Sequence, residues 1–285
     1  MFKGQNNKLK ENEIIAMASL LGDRSVKVRN RVSLSLEQNI DITRPILDKI
    51  LIEEKDPLVR ERINLLLQLS STEDPAEHWK IMQDNMCFNI RDGMVAISLL
   101  DVDEEVSRVD LLQQITELSD AWIANLNDKM SEEDMVHNLM EFLFNPESFI
   151  GNSEDYYSLD NCFIHRILKH KKGLPVTLCI LAVMLAEEVN LPLLGIGLPL
   201  HFIAGHFQGS KGISFYDCFD GGREVSPEEC VNYLHSRGIF FHPQLLSPCD
   251  NESILQRVLV NIKHIAQRKG LQAHVDNIER IKGVT

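Results

Sequence analysis

Residues 176 to 190 read VTLCILAVMLAEEVN, a helical run that is apolar on almost every side. Such a helix has no face to give to water, so other elements must enclose it. It is also too short to cross a bilayer, which takes about 20 apolar residues. The sequence therefore expects a buried central helix with layers of structure around it. Pro175, just before the run, suits a first helical turn, where its missing N–H would be unpaired anyway.

The flanks propose those layers. CFIHRILKH reads as one amphipathic helix starting near Asp160-Asn161, with Lys171-Lys172-Gly173 supplying C-terminal cations and a glycine cap. Leu193 to Leu198, His201 to Phe207 and Ile213 to Asp217 read as short strands, and Gly221-Gly222 closes a turn. Helices are expected over most of residues 10 to 190, and a small antiparallel sheet over roughly 193 to 225. In chain order this region carries Cys179, His201 and Asp217, the parts of a thiol triad: nucleophile, general base and orienting carboxylate. Each also has a structural reading. A cysteine in an aliphatic helix serves as a small hydrophobe, and an aspartate facing a histidine satisfies its ring N–H.

FIGNSEDYYSLDNCF, KKGLPVTL, GLPLHF and YDCFDGG, within residues 149 to 222, resemble motifs of the SirB-type branch of the transglutaminase-like family, whose forms are close to GN-x-x-x-Y-x-x-x-x-NSF, GxPxTL, LPGHF and DPFxGG. The resemblance implies a papain-like α+β core, a buried helix packed on an antiparallel sheet, followed by helices such as ILQRVLVNIKHIAQRKG. It implies His201 as base and Asp217 as its carboxylate, and it gathers Asn161, Pro175, Thr177 and His201 about any ligand pocket. It also implies a nucleophilic cysteine at the head of the buried helix, where the helix N-terminus sharpens a thiolate. Matched onto Gly173-Leu174-Pro175, that position holds proline. Cys179 follows one turn deeper, away from the helix end. Leu200 replaces the usual glycine before the histidine, Cys218 a proline and Cys162 a serine. Cys162, near a helix start, is expected to alkylate before Cys179.

VRNRVSLSL (28 to 36) recurs as VRERINLLL (59 to 67), each copy after an acidic turn, which resembles HEAT-type helical hairpins. Pro45 is taken as a helix start. From Asp74 to Asn145 the pattern stays helical, with Ser131 to Asp134 as a capping-box signature. The resulting division is 1–72 HEAT-like repeats, 73–148 an acidic helical segment, 149–245 a transglutaminase-like core and 246–285 C-terminal helices. The fold class is α+β, mainly helical.

Charge is uneven. Residues 71 to 160 hold 4 basic and 21 acidic side chains, against a net charge of −13 for the whole 285-residue chain. That argues against nucleic-acid binding through this segment. It leaves either solvated helix faces or a docking surface for a basic partner. The basic run from Arg166 to Lys172 is read as a solvated helix end. Six cysteines without CxxC pairs, and no apolar leader, suit a reducing cytoplasm, and no membrane span is expected. His201, His206, Cys218 and Cys230 lack a tight ligand pair, so neither a metal nor a cofactor is expected. The leading expectation is a non-catalytic protein- or ligand-binding scaffold with an unidentified protein partner. The alternative is a cysteine hydrolase or acyltransferase using Cys179, His201 and Asp217 on an amide or thioester.

Overall fold

A computed structural model describes residues 9–145 and 147–281, with thirteen α-helices and six strands among them. The chain begins with α1 (Glu11–Leu20), α2 (Val26–Gln38), α3 (Ile40–Glu53) and α4 (Pro57–Leu69). The two copies of the repeat are α2 and α4, and their acidic turns act as caps. Ser25 Oγ accepts from Val28 N–H at 3.4 Å, and Asp56 Oδ1 from Leu58 N–H at 2.9 Å. These helices bury Ile14, Leu36, Leu47 and Ile63 in a small core of their own. Pro45 does not start a helix. It lies inside α3, where it costs one backbone hydrogen bond.

Next come α5 (Pro75–Asp84), α6 (Ile90–Ser98), α7 (Arg108–Ile123) and α8 (Glu132–Phe144). Ser131 and Asp134 form the expected capping box: each backbone N–H donates to the other's side chain, at 3.0 and 3.1 Å. Then follow β1 (Ile150–Gly151), α9 (Ile164–His170), β2 (Lys172–Gly173) and α10 (Pro175–Glu188). α10 is the apolar run, and every residue from Pro175 to Ala186 is buried. The sheet β3 (Leu193–Ile196), β4 (Ile203–Phe207), β5 (Ile213–Asp217) and β6 (Arg223–Val225) is antiparallel in the order β3-β4-β5-β6. α11 (Pro227–His235), α12 (Asn251–Lys269) and α13 (Gln272–Glu279) complete the chain.

The sheet packs on α10 through β3 and β4, while α2, α6, α7, α8 and α12 cover its other sides. One hydrophobic core therefore runs from α5 to α13, across the boundaries expected at 148 and 245. Gly93 helps close it, because a Cβ there would collide with Leu255 where α6 meets α12.

Several local expectations change. His201 is not on a strand: residues 197–202 form a loop, and β4 starts at Ile203. Lys171, not Gly173, takes the left-handed conformation that ends α9 (φ 57°). Gly173 instead pairs with Gly151 in the two-residue parallel β1–β2 ladder, which lies outside the expected sheet. The basic run is a solvated helix end only in part: Lys169, His170 and Lys171 are exposed. Arg166 is buried and binds both oxygens of Asp101 (2.6 and 2.7 Å), and Lys169 pairs with Glu104 at 2.9 Å. Parts of the acidic segment thus neutralise basic groups of this same chain, Asp120 pairing with Arg31 likewise.

Candidate functional site

The head of α10 opens onto a groove of about 560 Å³. Pro175 and Val176 line it from α10, His201 and Phe202 from the 197–202 loop, Tyr156 and Tyr157 from the segment after β1. α12 supplies the remaining wall with Arg257, Val260, Asn261, His264 and Ile265. Pro175, the first residue of α10, stands at the head of the groove.

His201 and Asp217 meet at the groove, with Nε2 and Oδ2 2.7 Å apart. Asp217 Oδ1 also accepts from the N–H groups of Phe219 (3.0 Å) and Asp220 (3.1 Å). Burial pushes the Asp217 carboxyl up, but the His201 bond and charge and the two backbone donors outweigh it and hold it below the usual carboxylate range. An ionised carboxylate only accepts, so His201 carries its proton on Nε2. Its Nδ1 has no hydrogen-bond partner among the described residues. The ring is sandwiched by Tyr233 (centroids 5.3 Å) and the edge of Phe219 (6.4 Å).

The loop that presents His201 is fastened from outside. Arg257 Nη2 donates to the carbonyls of Leu198 and His201, each at 2.9 Å, and Tyr233 Oη to that of Leu200 at 3.0 Å. Leu200 is held at φ 64° although 70% exposed. The left-handed backbone that suits the family's glycine is thus kept here by a branched side chain.

The sulfurs stand elsewhere. Cys179 is fully buried inside α10, with the Cys218 thiol beside it. Burial, then that contact, pushes the Cys218 thiol well above its ordinary value. Cys162 was expected to be the reactive thiol. It too is fully buried, and enclosure raises its pKa far out of the reactive range. The structure thus brings His201 and Asp217 together at the groove and leaves Cys179 sealed in the core.

Asn161 and Thr177 were expected around the ligand, and the structure corrects this. Both are fully buried and internally satisfied. Asn161 Nδ2 donates to the carbonyls of Asp155 (2.7 Å) and Tyr156 (3.1 Å), and its Oδ1 accepts from Asn152 at 2.9 Å. Thr177 Oγ1 donates to Asn161 O at 2.8 Å and accepts from Leu174 N–H at 2.9 Å. They fix the tyrosine-bearing segment against the head of α10 rather than touching what lies in the groove.

His201, His206, Cys218 and Cys230 do not converge. His201 is engaged with Asp217, His206 lies buried between Gln208 and Glu132, and Cys218 sits by Cys179. Asp101, Asp103 and His274 do come within 4.8 Å of one another, but the Arg166 guanidinium already occupies both Asp101 oxygens. That is the chemistry of an ion pair, with no room for a cation. Among the described residues, no helix is long and apolar enough to cross a membrane.

Sequence reading missed the α12 wall. Arg257, Asn261 and His264 recur at helical spacing among apolar residues, a polar stripe that marks one face of the helix.

Relatives of known sequence share part of this chain. The chain is 26% identical to mouse (Mus musculus) F-box only protein 21 over 136 residues, 45% of this chain and 21% of that protein. It is 28% identical over 130 residues to a UPF0162 protein of Xylella fastidiosa, covering 44% of this chain and 46% of the relative. A Vibrio cholerae UPF0162 protein is 28% identical over 156 residues, 53% of this chain and 57% of its own length. The chain thus spans about a fifth of the first relative and about half of the bacterial ones. No solved structure matches it. Residues 109–260, more than half of the sequence and including α10, the sheet and most of the groove's lining, match the transglutaminase-like superfamily, to which this chain belongs.

Proposed function

We propose that this chain is a non-catalytic transglutaminase-like binding module of the SirB-type branch, whose groove at the head of α10 captures a ligand or a protein segment without acting on it. The observation that carries this reading is Pro175 lining the groove while Cys162, Cys179 and Cys218 are all enclosed. Thiol chemistry needs a sulfur that is exposed, deprotonated near neutral pH and within reach of its base. None of these three sulfurs is exposed. The N-terminal helices, read as HEAT-like hairpins, act as a scaffold that braces the far end of α10. The His201–Asp217 contact is what favours the alternative, a cysteine hydrolase or acyltransferase, but with no cysteine among the groove's lining residues the pair is a polar pin for the 197–202 loop.

Iodoacetamide labelling of native protein, mapped by peptide mass spectrometry, tests this. Cys162, Cys179 and Cys218 should stay unmodified until denaturant is added, and neither transamidase nor peptidase turnover should be detected. Fast, pH-dependent alkylation of Cys179 that His201→Ala abolishes would restore the enzyme.

A further inference from the structure

The groove differs from the rest of the molecule in charge. Its thirteen lining residues include no Asp or Glu, on a chain whose net charge is −13. The nearby Asp217 carboxylate is already held by His201 and two backbone N–H groups. Arg257, half-buried on the α12 wall, has no carboxylate partner among the described residues. One of its nitrogens fastens the His201 loop, while Nε and Nη1 have no acceptor there. Burying a guanidinium without a counter-ion is unfavourable, and burial lowers the Arg257 pKa accordingly. Three more features point the same way. Arg268 sits over the Tyr157 ring at 4.2 Å, and His264 stands on the same wall. The Val176 N–H, in the first turn of α10, has no acceptor among the described residues, so the positive end of that helix meets the groove.

The rim is apolar. Tyr156, Tyr157, Leu200 and Val260, four of the large hydrophobic side chains this protein exposes, all border this groove. Its volume of about 560 Å³ is that of a small-ligand pocket, room for a few side chains of a partner and no more. Leu200 is held in a strained backbone conformation at the edge, where residues that clamp ligands are often found.

We infer that the groove receives an extended peptide segment bearing a carboxylate flanked by apolar residues, with the carboxylate on Arg257 and the head of α10 and the apolar side chains on the rim. This rests on the non-catalytic reading above and adds the chemistry of the partner. A charge-assisted pair between guanidinium and carboxylate gives the specificity, and the aromatic and aliphatic rim gives contact area.

Fluorescence anisotropy with labelled pentapeptides on the full chain tests the inference. The probes are an acetylated, amidated peptide alternating leucine and glutamate, its glutamine counterpart, and the glutamine peptide with a free C-terminal carboxylate. At least one carboxylate-bearing peptide should bind about tenfold or more tighter than the neutral one. Which one does so tells whether the recognised group is a side chain or a chain end. Arg257→Gln should erase that preference, bringing the carboxylate-bearing peptides to the affinity of the neutral one. Val260→Glu, on the exposed rim and away from the loop fastening, should weaken the acidic peptide in a protein that still folds. Equal binding of all three peptides would overturn the anion recognition and leave a non-catalytic groove standing. So would no binding at about 1 mM, or binding indifferent to both substitutions. Cleavage or acyl transfer of any peptide would instead refute the non-catalytic reading itself.

Discussion

The two ends of α10 are built on opposite principles. At its C-terminal end Glu188 is buried, against the unfavourable end of the helix dipole and beside Glu187, and three side chains from other helices offset its charge. Asn30 Nδ2 and Arg31 Nη1 each donate to it at 2.7 Å, and Arg91 Nη1 lies 3.6 Å away. Arg31 is the second arginine of the repeated VRNRV motif, so the N-terminal helices close this end with charge. At the N-terminal end the helix opens onto a groove, Arg257 has no carboxylate partner among the described residues, and Leu200 is strained. The Glu188 end buries its charge among partners from this same chain, although Glu187 and Asn190 beside it line a cleft of about 670 Å³. The open end keeps unsatisfied chemistry in contact with solvent, the condition for binding something.

That contrast breaks most readily at Glu188. Glu188→Ala would leave Arg31 and Arg91 without their buried partner and should destabilise the fold by about 3–5 kcal/mol. Urea unfolding measures this, and peptide binding by the folded fraction should be unchanged. A loss below about 1 kcal/mol would show that the closed end is not the stabilising one.

The middle of the scale belongs to Asp217. Asp217→Ala removes the acceptor for the His201 Nε2–H and for two backbone N–H groups, and should cost about 1–3 kcal/mol. The pH dependence has a definite sign. The folded Asp217 carboxyl titrates below its unfolded value, so its contribution is fully present above the unfolded pKa and disappears as pH falls through the folded one. Unfolding curves of wild type and variant should therefore differ at neutral pH and converge as the solution is acidified below about pH 4. An unchanged midpoint at neutral pH would remove the pin role from the pair.

Much of this architecture could be read from the sequence because it is local. The all-apolar run 176–190 announced an enclosed helix, and the turn residues bounded strands between 193 and 225. The pairing of His201 with Asp217 followed from the family motifs. Misreadings arose where apolar spacing concealed a break. HFIAGHF alternates well enough to draw His201 into a strand, yet the left-handed turn at Leu200 and the fastening by Arg257 keep it in a loop. Asn161 and Thr177 sit in the motifs that frame the groove, but their side chains are turned inward to backbone carbonyls. The pairs that join distant parts were out of reach. Nothing local to Arg31 indicates a partner 157 residues away.

The smallest expected effect sharpens the account of the open end. A non-glycine residue held at φ 64° is strained by about 1–2 kcal/mol, and Leu200→Gly relieves that. Glycine also gives the unfolded chain more freedom, which takes back about 0.4–1 kcal/mol. Leu200 is so exposed that little burial is lost with its side chain. The net expectation is a variant equal to wild type or more stable by up to about 1.5 kcal/mol, read as a level or raised melting temperature. The same substitution removes an apolar edge of the groove, so affinity for leucine-containing peptides should fall while stability does not. A strain kept at the expense of stability, and useful only to a ligand, would give that divergence. If Leu200→Gly instead lowers stability and leaves peptide affinity intact, Leu200 is a packing residue, and the difference between the two ends of α10 is smaller than their geometry implies.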